Sequence, residues 1–96
     1  MTKNLIIPRP QGFTDWLAEQ GITGEQVTKI TRDFDLTGYT IIGSVPVGFA
    51  ARAVAVRVVE FDNLPEGFLG GYDLTAREMK RYGAHLVTYR VIRAEE

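Results

Sequence analysis

The sequence predicts an α/β fold: a compact three-layer arrangement of about five strands in a mostly parallel sheet, with three helices, in one domain spanning residues 1–96. Three observations predict it. Short apolar runs, Leu5-Ile6-Ile7 and Tyr39 to Ile42, alternate with stretches that carry helix start and stop residues. The second run enters a tight turn, Gly43-Ser44-Val45, and then meets Pro46, a residue favoured at the first position of a helix. Near the C-terminus Thr75-Ala76-Arg77-Glu78 has the form of a capping box, and an alternating strand pattern follows it.

The elements follow in order. Leu5-Ile6-Ile7, closed by Pro8, reads as a buried first strand. Arg9-Pro10-Gln11-Gly12 is a turn, and a helix runs from Phe13 or Thr14 to Gln20 with Gly21 as its stop. Thr14 is a candidate cap, Asp15 suits the first turn, and Phe13, Trp16 and Leu17 supply an inner face. The stretch from Ile22 to Asp35 carries two periods at once. Val27, Ile30 and Phe34 are spaced for a helix, while Val27 to Thr31 alternates, and a strand over Val27–Arg32 is the reading adopted. About six residues then separate it from the next strand, too few for a parallel crossover, so the two are antiparallel or not adjacent. Tyr39 to Val45 is the central strand. Pro46 to about Val56 is an alanine-rich helix, apolar on most sides, and Val58 to Phe61 is a fourth strand. Asp62 to Leu74, with Pro65, Gly67, Gly70 and Gly71, is a long loop of the kind that serves as a lid or binding loop. A helix from the Thr75 cap to Tyr82 ends at Gly83, Leu86 to Ile92 forms the last strand, and Ala94-Glu95-Glu96 is a frayed tail.

Composition bounds the function. The 96 residues carry a net charge of −1, with 45% hydrophobic and 24% charged residues. Such a chain has no general attraction for long nucleic acid, but a few local arginines can still hold a small phosphorylated ligand. It contains no cysteine and one histidine, which removes thiol chemistry, disulfides and a histidine-rich metal site within one chain. A domain of this size buries roughly 60–65% of its unfolded surface, so a second copy would add to its core. No secretory signal is visible, and the long apolar region Ile41 to Val59 is broken by Pro46, Arg52 and Arg57. A cytoplasmic protein without a membrane span is expected.

Two strand-to-helix turns, Arg9 to Gly12 and Gly43 to Gly48, stand out as the candidate site. In a doubly wound sheet such turns flank the crevice at the strand C-termini where ligands bind. If strands one and three are neighbours, Arg9, Gln11, Gly12 and Ser44 converge there, and two helix N-termini, an arginine and a hydroxyl make a phosphate site that needs no metal. The motif lacks the Lys-Ser/Thr pair of a phosphate-binding loop. Each residue also has a plainer reading: Arg9 and Arg52 as surface arginines, Ser44 as a helix cap, Gly43 and Gly48 as packing glycines, Trp16 as core. His85, just before the last strand, reads as structural rather than as a base, and Asp33 and Asp35 as polar turn residues.

At these residues the chain resembles the small CRISPR-associated proteins called Csx-sixteen. Three blocks carry the likeness: a strand followed by Arg9-x-x-Gly12-x-x-x-Trp16-Leu17-x-x-Gln20-Gly21; Ile42-Gly43-Ser44-Val45-Pro46-Val47-x-x-Ala50-Ala51; and Leu74-Thr75-x-x-Glu78-Met79-x-x-Tyr82-Gly83-Ala84 with Tyr89-Arg90-Val91 beyond. The resemblance implies a Rossmann-like domain, similar to the CARF domains that sense cyclic oligoadenylate. It implies a ring nuclease of type III CRISPR defence that degrades the cyclic tetra-adenylate messenger, as a homodimer, without metal or cofactor. On that reading Arg9, Ser44 and Arg52 are catalytic, and Pro10, Gln11, Gly12, Gly43, Val45, Pro46 and Gly48 bind the ligand. Attack by a ribose 2′-hydroxyl would leave linear products ending in 2′,3′-cyclic phosphate, with no general base identified. Family members often carry histidine directly after the first-block arginine, where this chain has Pro10. Two alternatives therefore stand beside catalysis: a non-catalytic sponge or sensor for the same ligand, and a small oligomerising interaction protein.

Overall fold

In the computed structural model, which describes residues 2–8, 11–65 and 74–94, the elements come in the expected order. They are β1 (Lys3–Ile6), α1 (Gln11–Glu19), β2 (Glu25–Gln26), β3 (Tyr39–Ile42), α2 (Val47–Ala50), β4 (Ala55–Phe61), α3 (Ala76–Arg81) and β5 (Ala84–Tyr89). One five-stranded sheet runs β2-β1-β3-β4-β5. The first four strands in that row are parallel, and β5 closes the edge antiparallel to β4. β2 and β3 are thus not adjacent; β1 lies between them, which resolves the two options left by their short connection. Arg9, Pro10, residues 66–73 of the expected long loop, and residues 95–96 of the tail lie outside the described residues.

The centre of the sheet is apolar on both faces because parallel strands must be covered on both. Leu5 and Ile41 are opposite one another and point to one face; Ile6 and Ile42 are their neighbours on the other. All four are at most 3% exposed, and each side chain so buried contributes about 1.5–3 kcal/mol. On the Ile6–Ile42 face, α1 presents Phe13, Trp16 and Leu17, and α3 presents Ala76 and Met79. On the Leu5–Ile41 face, Leu36 and Ala50 of α2 pack with Val56. The three layers are therefore helices, sheet, and a mixed layer of α2 and the irregular 27–38 segment.

Several boundaries differ from the sequence expectation, each for a physical reason. α1 begins at Gln11, so Thr14 is inside the helix rather than at its cap, and its hydroxyl is buried without a hydrogen-bond partner. The second strand is two residues, Glu25–Gln26, not Val27–Arg32. Its ladder ends after the Val27 N–H reaches the Ile6 carbonyl (3.1 Å), because Ile7 donates to β3 and the next donor along β1 would be Pro8, which has no N–H. Val27, Ile30 and Phe34 instead pack on the core from irregular chain. β3 stops at Ile42 because Gly43 takes φ +134°, a conformation L side chains rarely adopt. The alanine-rich helix expected over Pro46–Val56 is one turn, Val47–Ala50, with Pro46 at its N-cap. The β-branched run Val54 to Val59 is recruited into β4 instead, where Val56 is buried beside Ile41. β5 also starts and ends earlier than Leu86–Ile92.

Two local devices hold the helical layer. Thr75 caps α3: its side chain accepts from the Glu78 N–H (3.1 Å), and Glu78 accepts from the Thr75 N–H (3.0 Å). Gly12 lets α1 approach the segment that leads into α3: a Cβ there would lie 1.7 Å from the Leu74 carbonyl oxygen. The turn into β3 is held by Asp35, whose carboxylate accepts from the Thr37 N–H at 3.0 Å; that bond keeps the carboxyl below its ordinary pKa. No helix among the described residues is long and apolar enough to cross a membrane.

Two substitutions test this packing. Gly12→Ala is expected to cost at least about 2 kcal/mol of stability, since backbone must move to admit the methyl, whereas Gly48→Ala, with nothing within 4 Å, is expected to be neutral or stabilising; urea unfolding midpoints compare them. Thr75→Ala is expected to lose about 1 kcal/mol in the same assay, as the N-cap acceptor disappears.

Candidate functional site

A shared site at the two turns requires the first and third strands to be neighbours, and they are. Ile6 is opposite Ile42, and the pairing continues through the Ile7 N–H, which donates to the Ile42 carbonyl at 3.0 Å. Both chains then leave the sheet at the same edge, the C-terminal edge of the parallel strands. The closeness is tight enough that a Cβ on buried Gly43 would sit 3.0 Å from the Ile7 Cβ. Between β1 and β3 the chain order also reverses direction across the sheet, with β2 on one side and β4 on the other. That is the topological position where doubly wound sheets bind ligands.

The side chains divide into two groups. Ser44 is exposed at this edge, and among the described residues its hydroxyl has no hydrogen-bond partner. It is not a helix cap: α2 has Pro46 as its N-cap and no side-chain capping bond. Gln11 is exposed at the start of α1 and donates to Asp15 (2.9 Å). Pro46 and Gly48 are exposed, while Val45 packs on the core. Gly12 and Gly43 act through backbone shape, as the approaches to Leu74 and Ile7 show. Arg9 and Pro10 lie outside the described residues.

Arg52 is not brought to Ser44. The Val54 N–H already bonds the Tyr39 carbonyl at the start of β3 (2.8 Å), so Arg52, two residues earlier, stands toward the opposite edge of the sheet. Its guanidinium donates to the Phe34 carbonyl and lies 5.7 Å from the centre of the Phe49 ring. It lines an open cleft of about 500 Å³ together with Val47, Gly48, Val91 and Arg93. The rim of this cleft is apolar and exposed, Val47 at 70% and Ile92 at 79%. The one-turn length of α2 also revises the expected electrostatics. A four-residue helix sums few peptide dipoles, so attraction for an anion beside Ser44 has to come mainly from side chains.

The structure adds a polar cluster that sequence reasoning did not assemble. β4 continues four residues past Arg57, the partner of Ile42, and pairs there with β5. On this projecting arm Glu60 is directly opposite His85. The Tyr89 hydroxyl donates to Glu60, which raises the tyrosine pKa above its ordinary value. His85 Nδ1 lies 3.0 Å from the Gly83 carbonyl and 3.7 Å from Asp62 Oδ1. Only the β4–β5 register brings these side chains together, and no local motif announces it. Among the described residues no three His, Cys, Asp or Glu side chains gather as a metal-holding group.

No curated protein and no solved structure matches the chain. A family model does, over residues 5–92, and its description is "Putative CRISPR-associated protein (Cas_VVA1548)". That match runs from the middle of β1 through α1, both turns, the remaining strands and the polar arm, nearly the whole chain, and the protein belongs to this CRISPR-associated family.

Proposed function

We propose that this protein opens a cyclic oligoadenylate, with cyclic tetra-adenylate as the favoured ring, by metal-independent attack of a ribose 2′-hydroxyl on the adjacent phosphate. The observation that carries the reading is the parallel pairing of β1 with β3, which sets the turn after Ile42, with a Ser44 hydroxyl unpartnered among the described residues, beside the end of β1. The CRISPR-associated family gives the setting, and the resemblance to the Csx-sixteen proteins implies the cyclic oligoadenylate. Ser44 would donate to a non-bridging phosphate oxygen, and Arg9, two residues before α1, would supply charge to the developing phosphorane. Gln11, Gly43 and the backbone through Gly48 would shape the cradle. Arg52 enters as a binding group for a different phosphate of the ring, because it stands away from Ser44 beside Arg93. A ring with four phosphates and fourfold symmetry suits a twofold homodimer that offers the same turns from each subunit. Products would be linear oligoadenylates ending in 2′,3′-cyclic phosphate. A second reading, tight binding without cleavage, is favoured by Pro10 at the position where similar proteins often carry histidine.

Incubation of labelled cyclic tetra-adenylate with the protein in EDTA separates these readings. Linear product under single-turnover conditions is expected, with Arg9→Ala and Ser44→Ala each slowed by about 10²-fold and Arg52→Ala weakened chiefly in binding. Recovery of intact, tightly bound ring selects the sponge. Neither binding nor cleavage leaves only an interaction protein.

A further inference from the structure

We infer that His85 is the general base of this ring opening, an inference that rests on the cleavage reading above. The hydrogen bond at Nδ1 fixes the tautomer. A carbonyl oxygen can only accept, so the 3.0 Å contact with the Gly83 carbonyl puts the proton on Nδ1 and leaves the Nε2 lone pair available. Asp62 Oδ1 lies 3.7 Å from the same nitrogen, on the side of the ring away from Nε2. The same Gly83 carbonyl also accepts from the Asp62 N–H at 3.3 Å, so histidine, aspartate and carbonyl are tied together where β4 ends and β5 begins. Gly83 permits this turn with φ +75°; its Cα faces the Asp62 and Asn63 side chains, which a Cβ would meet at 3.0–3.1 Å. Glu60, directly across from His85, is held by the Tyr89 hydroxyl.

The place in the fold is as specific as the tautomer. Glu60 follows Val56 and Val58 on the face that packs toward α2, and His85 opposite it shares that face. The chain leaving Ile42 through Ser44 leads onto the same face. β5 is two strands from β3, about 10 Å across the sheet, and His85 stands three residues beyond the Arg57–Ile42 pair, about 10 Å farther along it, past the end of β3 where the chain through Ser44 leaves. The His85 side chain is 45% exposed, so a ligand can reach it. A phosphate held at Ser44 would therefore place a flanking ribose toward the projecting β4–β5 arm.

The step balances without any further reactant. His85 Nε2 takes the proton of the ribose 2′-hydroxyl, and the freed oxygen electron pair forms the bond to phosphorus. The bond from phosphorus to the 5′-oxygen breaks, and that oxygen leaves with its electron pair. It receives the proton back from the imidazolium through a water, giving a 5′-hydroxyl and a 2′,3′-cyclic phosphate.

The test measures single-turnover cleavage and binding of labelled cyclic tetra-adenylate, in EDTA, for the parent, His85→Gln and His85→Ala. The expected result is cleavage by the parent, binding within about threefold in both variants, and rates at least about 100-fold lower. Added imidazole is expected to restore part of the rate to His85→Ala, which a merely structural histidine would not allow. Variants that cleave within about threefold of the parent, or a rate loss in His85→Ala that imidazole leaves unchanged, overturn the assignment while the cleavage reading stands. A parent that returns the ring intact overturns both.

Discussion

The parallel pairing of β1 with β3 is the constraint on which the rest of the molecule depends. Its four central side chains, Leu5, Ile6, Ile41 and Ile42, are buried on two faces at once, so neither face can be left to solvent. That demand accounts for both covering layers. α1 and α3 close one side with Trp16, Leu17 and Met79, and Leu36 and Ala50 close the other. It also accounts for the candidate site, because two parallel neighbours necessarily release their chains at the same edge. The apolar term that stabilises the core and the geometry that brings the turns of the candidate site to one edge are consequences of one register.

The second organising feature is how little chain crosses from β3 to β4. The connection from Gly43 to Val54 is close to the minimum for a parallel crossover, and only one helical turn fits within it. Its brevity leaves Arg52 near the start of β3 and Ser44 at its end, held apart by the length of the strand. It also frees the valine-rich stretch after Val54 to form the longest strand of the sheet, Ala55–Phe61. Because β4 outruns β3, it needs a partner of its own, and β5 supplies one from the other direction. The arm so formed carries Glu60, Asp62 and His85 past the end of the neighbouring strand, and the Tyr89 hydroxyl, from the Val56 level, reaches Glu60. A short connection thus determines both what is absent from the turn after β3 and what stands beside it.

Gly12 and Gly43 show how one residue type serves two purposes that a sequence cannot separate. Each sits in a turn of the candidate site, and each is also sterically required: Gly12 by the Leu74 carbonyl, Gly43 by its backbone angle and the Ile7 side chain. Gly48, in the same motif as Gly43, has open space around it. The spacing alone offers no way to tell the three apart, since the atoms that forbid a side chain come from distant chain segments.

Much of the architecture was legible in local pattern. The order of elements, the capping box at Thr75, the stop at Gly83, the inner face of α1 and the exclusion of an adjacent parallel β2–β3 pair all follow from residues within one helical turn or one short connection. Local steric and hydrogen-bond preferences encode such features, so sequence alone determined them. Tertiary structure decided the lengths and the meetings. It shortened β2 because Pro8 on another strand had no donor, and it cut α2 to one turn because Val56 is worth more in the sheet beside Ile41. It set a solitary histidine opposite Glu60 and beside Asp62, because that meeting depends on register between strands that no local preference records.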